Sequence, residues 1–439
     1  MELNRRFRLG PQDKIALVGS GGKTTLMFQL ARDYGTPVVC TTTTHLALDQ
    51  LSQADTHLMV TDITQLPDPA QSPPGGVVLI TGPEIEPNRV GSPPQDVLEA
   101  LVGLAEKWSC PLIIEADGAR KLPLKAPADH EPPIPDCVDA VITVVGLSGL
   151  GKPLREDWVH RPEIYSRLVG LPEGGTLESQ HLVQELTSLQ GGLKNIPDGA
   201  RRILLINQVD SFPNWKTFYQ HMDALLSSYQ AVGFSVLADE MLLEVHERIA
   251  GIVLAAGGST RFGEPKQLLD WFGKPLVTHA VELAEAGGLS PVLVVTGADH
   301  DTVSEVLRTA PVEVVCNTGW AEGQSSSVRA GVQSLPVTVG GAVFLLVDQP
   351  LIPPALIEKL LQTHHRSPAP ILLPKIGDRA GNPVLFDREV FDDLMKLGGD
   401  IGGRALFEAY PTRYIPWDEA ESQQDIDTPE DYQRMRFEE

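Results

Sequence analysis

Cysteine is scarce in this chain: Cys40, Cys110, Cys137 and Cys316 are the four among 439 residues, far apart and without paired spacing. That usage argues against a disulfide framework and suits a reducing, cytoplasmic setting. Three of the four adjoin apolar strand-like runs, which predicts buried thiols. Positive charge is also short. Lys and Arg number 35 against 58 Asp and Glu, a net charge of −23. Such a surface repels a phosphate backbone or an anionic bilayer, so no nucleic-acid or membrane partner is expected. Small anions, which need only a few local donors, are not excluded. Long apolar runs are missing as well: Ala342 to Val347 is far too short to span a bilayer. Basic residues in Met1 to Gly10 are not followed by an apolar stretch, so no signal peptide is expected. What the chain does have is 42% hydrophobic residues, enough for packed cores. At about 150 residues per domain its length implies two or three of them.

Short apolar runs alternate with longer amphipathic ones, the pattern of α/β units on mostly parallel sheets. Strands are predicted at Lys14–Val18, Pro37–Thr41, Val77–Thr81, Leu112–Glu115, Ala140–Val145 and Ile203–Asn207. A helix is predicted from about Lys23 to Tyr34, and an aromatic-rich helical stretch after Asp210. At Ile249 the pattern restarts, with strands at Gly251–Ala255, Val292–Thr296, Val312–Cys316 and Val343–Val347 and a helix at Leu276–Ala286. Two openings of strand, glycine turn and helix therefore predict two doubly wound, mostly parallel sheets. The first is P-loop NTPase-like and the second Rossmann-like, with a boundary near Glu247 that assigns 1–247 and 248–439 to separate domains. The proline-rich segment Pro67–Pro94 reads as irregular loop, and Pro123–Pro135 as a functional one.

In the first half, Gly19-Ser20-Gly21-Gly22-Lys23-Thr24-Thr25 joins a strand to a helix. Glycines there let backbone N–H groups converge on phosphate oxygens at the helix N-terminus. Lys23 can neutralise the β and γ phosphates, and a hydroxyl of Thr24 or Thr25 can ligate Mg²⁺. The loop is shorter than the usual pattern, which places glycine where Leu17 stands. Leu112-Ile113-Ile114-Glu115-Ala116-Asp117-Gly118 offers the carboxylate such a site needs, Asp117 first and Glu115 second. Thr41 to Thr44 end a strand where hydroxyls can reach a γ-phosphate. Asn207-Gln208-Val209-Asp210 resembles a guanine-reading Asn-Lys-x-Asp with the lysine replaced, so Asn207 and Asp210 are candidate base contacts and the nucleotide is ATP or GTP.

These segments, with Glu115 to Arg120, Leu124 to Pro132, Gly146-Leu147, Gly151 to Leu154 and Asn207 to Asp210, resemble the YqeC family. The resemblance implies an accessory protein of selenium-dependent molybdenum hydroxylases, with a P-loop NTPase-like fold and an apo molybdenum hydroxylase as possible partner. Lys125 to Pro132 is its most specific match and supplies a cation, a carboxylate and an imidazole on a proline-stiffened loop, a candidate second ligand site.

In the second half, Leu254-Ala255-Ala256-Gly257-Gly258-Ser259-Thr260-Arg261-Phe262-Gly263-Glu264-Pro265-Lys266 follows a strand. Small residues let backbone close around a nucleotide, and Arg261 and Lys266 put two cations beside a triphosphate. Transfer of a nucleotidyl group is an in-line attack on the α-phosphorus with pyrophosphate leaving. It calls for those cations and for Mg²⁺ held by carboxylates. Asp348 after Val343–Val347 and Asp427 in Asp425-Ile426-Asp427-Thr428-Pro429 are the candidates. Gly323 and Ser327, in Gly323-Gln324-Ser325-Ser326-Ser327, can offer N–H and hydroxyl groups to a base. Gly381-Asn382-Pro383 and Gly399 to Arg404 are turns where a bulky second substrate can approach the backbone.

Together these resemble the MobA/MocA-like nucleotidyltransferases over residues 249–439, most closely the molybdenum cofactor cytidylyltransferases. Ala255-Ala256 stands where guanylyl relatives carry glycine, and Pro265 where they carry aspartate. The resemblance implies transfer of CMP from CTP to the molybdopterin cofactor, with Gly257, Gly258, Arg261 and Lys266 on the triphosphate and Asp348 and Asp427 on Mg²⁺. Two other readings are transfer of GMP or another nucleotide to a phosphorylated acceptor, and a non-catalytic carrier that delivers cofactor to a hydroxylase.

Overall fold

The computed structural model describes residues 2–258 and 262–437. The chain divides into two compact units, one ending at His246 and the other beginning at Glu247.

The first unit is built on a nine-stranded sheet. Its order is Met241–His246, Ala231–Val236, Arg201–Asn207, Ala140–Gly146, Lys14–Gly19, Leu112–Glu115, Val38–Thr42, Val77–Thr81 and Thr56–Met59. Every neighbouring pair is parallel except Ala231–Val236 with Met241–His246. Strands such as Val77–Thr81 and Ala140–Gly146 are buried along their whole length, as expected where helices cover both faces of a parallel sheet. The helix Gln95–Trp108 buries Val97, Leu101, Leu104, Ala105 and Trp108, one stripe at helical spacing. The first glycine-turn strand, Lys14–Gly19, lies between Leu112–Glu115 and Ala140–Gly146, with Leu17 level with Glu115 and Gly19 level with Val144. That register sets the turn after Gly19 beside the loop after Glu115.

Between Pro67 and Pro94 the strand Val77–Thr81 forms as predicted, and the remainder, expected to be irregular, also carries the strands Glu84–Glu86 and Arg89–Gly91, which join His45–Ala47 in a small antiparallel sheet. Proline there marks the turns between short strands.

The second unit holds an eight-stranded mixed sheet. Ile249–Ala255 lies between Val292–Thr296 and Gly341–Leu346, all parallel, and Leu254 is level with Leu346. Val384–Asp387 then runs antiparallel to both its neighbours, Gly341–Leu346 and Ile371–Ile376. The helices Leu276–Ala286 and Pro354–Arg366 pack their apolar stripes into the core cluster of Val253, Val294, Val343 and Leu345. Cys40 and Cys110 are buried as expected, but Cys316 is exposed because Glu313–Cys316 is an edge strand. Among the described residues no helix is long and apolar enough to cross a membrane.

The first core also buries polar side chains, Glu185 among them. Behind the glycine turn is a cavity of about 30 Å³ lined by residues that include Gly19, Lys125, Tyr165 and Glu185. Glu185 and Tyr165 are buried, and the Tyr165 hydroxyl has no hydrogen-bond partner among the described residues. Burial pushes the Glu185 carboxyl up to about 8, against a smaller opposing pull from Lys125. A group that holds its proton more tightly folded than unfolded contributes fully below its unfolded value of 4.5. That contribution fades as pH climbs towards 8. Glu185→Gln is therefore expected to gain roughly 2–4 kcal/mol relative to wild type between pH 5 and pH 8.5, at ~1.4 kcal/mol per pKa unit. Urea denaturation at the two pH values measures this, and a stability difference that does not change with pH would show that Glu185 is ionised throughout.

Candidate functional site

The turn 19–22 can close only on glycine at two points. Gly19 has φ +90° and a Cβ there would lie 2.2 Å from the Val144 carbonyl; Gly21 has φ +78° and would meet the backbone of Gly146 at 2.5 Å. The strand to which the turn belongs is therefore in backbone contact with its neighbour. The helix Lys23–Asp33 follows directly. Lys23 is buried, donates to the Gly19 carbonyl at 2.6 Å and lies 3.1 Å from an oxygen of Asp117.

Asp117 is a hub rather than an open ligand. It accepts from the Gly19 N–H at 3.1 Å and from Lys125 Nζ at 2.8 Å, in addition to its pairing with Lys23. Lys125 also donates to the Gly118 carbonyl and pairs with Glu131 at 2.9 Å. Glu131 in turn takes a bidentate Arg161 at 2.7 and 2.8 Å. Its two cations overcome the upward push of burial and hold the Glu131 carboxyl down at about 2. The segment Lys125–Pro132 thus commits its cation internally, while Asp129 and His130 are exposed. It braces the turn instead of presenting a ligand site.

The carboxylate brought to Thr24 is Glu115, whose Oε2 accepts from the Thr24 hydroxyl at 2.8 Å. Burial raises the Glu115 carboxyl and Lys23 opposes it. A hydroxyl and a hard carboxylate oxygen at a helix N-terminus are a donor set suited to Mg²⁺. Of the threonine run, Thr41 and Thr42 are buried and bond to main-chain carbonyls of Ile80 and Glu115. Asn207 donates to the Gly21 carbonyl at 2.7 Å and accepts from the Leu237 N–H at 2.9 Å and the Ser235 hydroxyl. Its amide is thereby spent on scaffold. Gly21, Gly22, Lys23, Thr24, Thr25, Asn207 and Asp210 all border one cavity of about 580 Å³.

In the second unit the parallel strands Ile249–Ala255 and Gly341–Leu346 end side by side, so the loop from Leu254 and the turn carrying Asp348 share one crevice at the carboxyl edge of the sheet. Lys266 Nζ stands 3.6 Å from Asp348 and 3.1 Å from Asp427. Burial raises the Asp348 carboxyl, with Lys266 opposing and Asp425 and Asp427 adding to it. Gln267 clamps the loop by donating to the carbonyls of Ala255 and Gly257 at 2.9 and 2.7 Å. Leu254, Ala255, Ala256, Gly257, Gly258, Lys266, Gly323, Ser327, Asp348 and Asp427 border a cavity of about 710 Å³. Ser327 is held from behind by Asn317 at 3.0 Å. The predicted contact Arg261 lies outside the described residues.

No cluster of three or more His, Cys, Asp or Glu suited to a metal occurs among the described residues. A cation here would have the two aspartates and would take its remaining ligands from phosphate and water, the usual habit of Mg²⁺. Sequence reasoning missed Trp320, 37% exposed on the cavity wall. A lone aromatic between Gly319 and Ala321 was its one visible signal. It also missed Arg379, which with Arg404, Asn382 and Gln423 borders a neighbouring cavity of about 690 Å³. The two cavities share Leu254, Gln324 and Leu346 as walls.

Residues 15–163 match the family described as YqeC protein, and residues 251–414 the MobA-like NTP transferase domain. The uncharacterized protein YqeC of Escherichia coli (strain K12) is 35% identical over 216 residues, 47% of this chain and 81% of that protein. Nicotine blue oxidoreductase of Paenarthrobacter nicotinovorans is 29% identical over 197 residues, 43% of this chain and 96% of that enzyme. Among solved structures, Rv0371c of Mycobacterium tuberculosis H37Rv in complex with manganese is 26% identical, covering 43% of this chain and 98% of that one, with a TM-score of 0.37. Gly19 to Lys125 in one unit and Leu254 to Asp348 in the other fall within the two matched spans, so the chain belongs to the YqeC family through its first unit and carries a MobA-like NTP transferase domain as its second.

Proposed function

We propose that the second unit transfers CMP from CTP to the phosphate of a molybdopterin cofactor, releasing pyrophosphate, and that the first unit is a P-loop domain binding ATP or GTP in the same maturation process. The observation that carries the transferase reading is Lys266 set between Asp348 and Asp427 at the rim of the cavity closed by Leu254–Gly258. A relative 29% identical over 197 residues is named an oxidoreductase, so the reading rests on these residues and not on similarity alone.

The acceptor's phosphate oxygen attacks the α-phosphorus, a new P–O bond forms, and the bond to the β-bridging oxygen breaks with its electron pair leaving on pyrophosphate. An acceptor that is already an anion needs no side-chain base. Lys266 neutralises the charge that moves onto the leaving group. Asp348 and Asp427 would hold Mg²⁺, which when bound supplies Lewis-acid stabilisation of the phosphate oxygens. Trp320 gives the base a flat wall, beside the lining formed by Ala255 and Ala256. Arg379 and Arg404 in the adjoining cavity suit the acceptor's anionic group.

Asp348→Asn is expected to lower turnover about 100-fold or more, since electrostatic groups at the reacting phosphate supply ~3–4 kcal/mol each. Steady-state rates of pyrophosphate release with CTP and molybdopterin measure it. Asp427→Asn should behave alike, and near-normal turnover would remove Asp427 from the metal site.

CTP should outpace GTP by about tenfold to a hundredfold, the cost of one mispaired buried donor or acceptor at ~1–3 kcal/mol. Initial rates with CTP, GTP and ATP at equal concentration decide this. Equal or faster turnover with GTP would sink the cytidylyl assignment and leave the transferase site standing.

A further inference from the structure

The cavity of the first unit extends to both sides of the glycine turn. Strands Ala140–Gly146, Arg201–Asn207 and Ala231–Val236 lie on one side of Lys14–Gly19 in the sheet, and their ends supply Asn207, Asp210 and Leu237 to the cavity wall. Strands Leu112–Glu115, Val38–Thr42 and Val77–Thr81 lie on the other side; the loop after the first supplies Arg120 and Lys121, and the small sheet that follows the other two supplies His45 and Arg89. A nucleotide with its phosphates on the turn and its base towards Asp210 leaves this second side open.

The second side is cationic in a chain whose net charge is −23. Arg120 and Lys121 are exposed, and neither has a carboxylate or hydrogen-bond partner among the described residues. Both sit in the left-handed region, at φ 52° and 61°. Two consecutive non-glycine residues there cost about 1–2 kcal/mol each, a strain that concentrates where side chains must be aimed. Lys23, by contrast, is already committed to Asp117 and the Gly19 carbonyl. Arg89 Nη1 lies 3.2 Å from His45 Nε2 and 3.6 Å from Glu86. Burial, then Arg89, lowers the pKa of His45, which favours a neutral imidazole able to donate one hydrogen bond. Of the carboxylates that border the cavity, Glu115 is bonded to Thr24 and Asp210 stands at the opposite end.

We propose that this end of the cavity binds a second substrate, a small molecule carrying a phosphate or carboxylate group, recognised by Arg120, Lys121 and Arg89. The proposal rests on the reading that the glycine turn binds a nucleoside triphosphate. It makes the first unit a two-substrate site instead of a simple NTP switch.

The test uses the full chain saturated with Mg²⁺ and the β,γ-imido analogues of ATP and GTP, titrated calorimetrically with inorganic phosphate and, separately, with succinate. Wild type is expected to bind one equivalent of at least one of the two anions. The Arg120→Ala/Lys121→Ala variant should bind that equivalent at least tenfold more weakly, with imido-nucleotide affinity changed less than twofold. The anion that binds identifies the class. Absence of anion binding by wild type overturns the proposal, as does unchanged anion affinity in the double variant. A parallel fall in nucleotide affinity also overturns it, because the cations would then belong to the triphosphate. A Lys23→Ala chain that keeps its full imido-nucleotide stoichiometry defeats the parent reading instead, and the anion titration reports independently of it.

Discussion

The first unit depends on an alternating line of buried charges: Lys23, Asp117, Lys125, Glu131 and Arg161. Lys23, Asp117 and Lys125 have side chains only 2–4% exposed. Removing Asp117 takes from Lys23 the carboxylate it pairs with, and removing Glu131 does the same to Arg161; leaving a buried charge unpaired in this way typically costs ~3–5 kcal/mol. The line ties the glycine turn, the loop after Glu115, the strand Leu124–Lys125 and the start of the helix Pro162–Val169 to one another. The turn's shape is thus fixed before any ligand arrives, a preorganisation that spares a phosphate the work of ordering it.

The second unit applies the same economy with fewer parts. Among the described residues Lys266 answers both Asp348 and Asp427, and it does so at a partly open rim, not in a sealed core. A pairing that is partly solvated can be exchanged for phosphate and metal at small cost, whereas the sealed line of the first unit resists exchange. On the proposed function, the difference separates a place where charge is rearranged in each cycle from one where it stays put.

Much of this was legible in sequence because glycine turns after apolar runs are strong local signals. Lys14, Leu112, Ile249 and Val292 begin strands within two residues of where periodicity sets them. Strands Ala231–Val236 and Met241–His246 escaped notice because Gly233 and Glu244 break the apolar pattern. Thr56–Met59 is a half-buried edge, where burial does not dictate residue type. Glu115 and Asp117 are two apart and would share a face in a continued strand. The strand stops at Glu115, so Asp117 turns beneath the glycine loop while Glu115 meets Thr24. Spacing alone cannot encode that ending. Trp320 and Arg379 lie in stretches of small or polar residues, and only the fold brings them to cavities.

Asn207 leaves one consequence to draw. Its single amide group fastens the Gly21 carbonyl on one side and the Leu237 N–H on the other. The Leu237 wall and the glycine turn, the base and phosphate ends of the proposed nucleotide site, are therefore links in series through one planar group. Any guest that shifts the 237–238 wall transmits that displacement to the turn with no intervening soft torsion beyond the Asn207 side chain itself. On the proposed nucleotide reading, the size of a base would then be felt as a change in the grip on its phosphates.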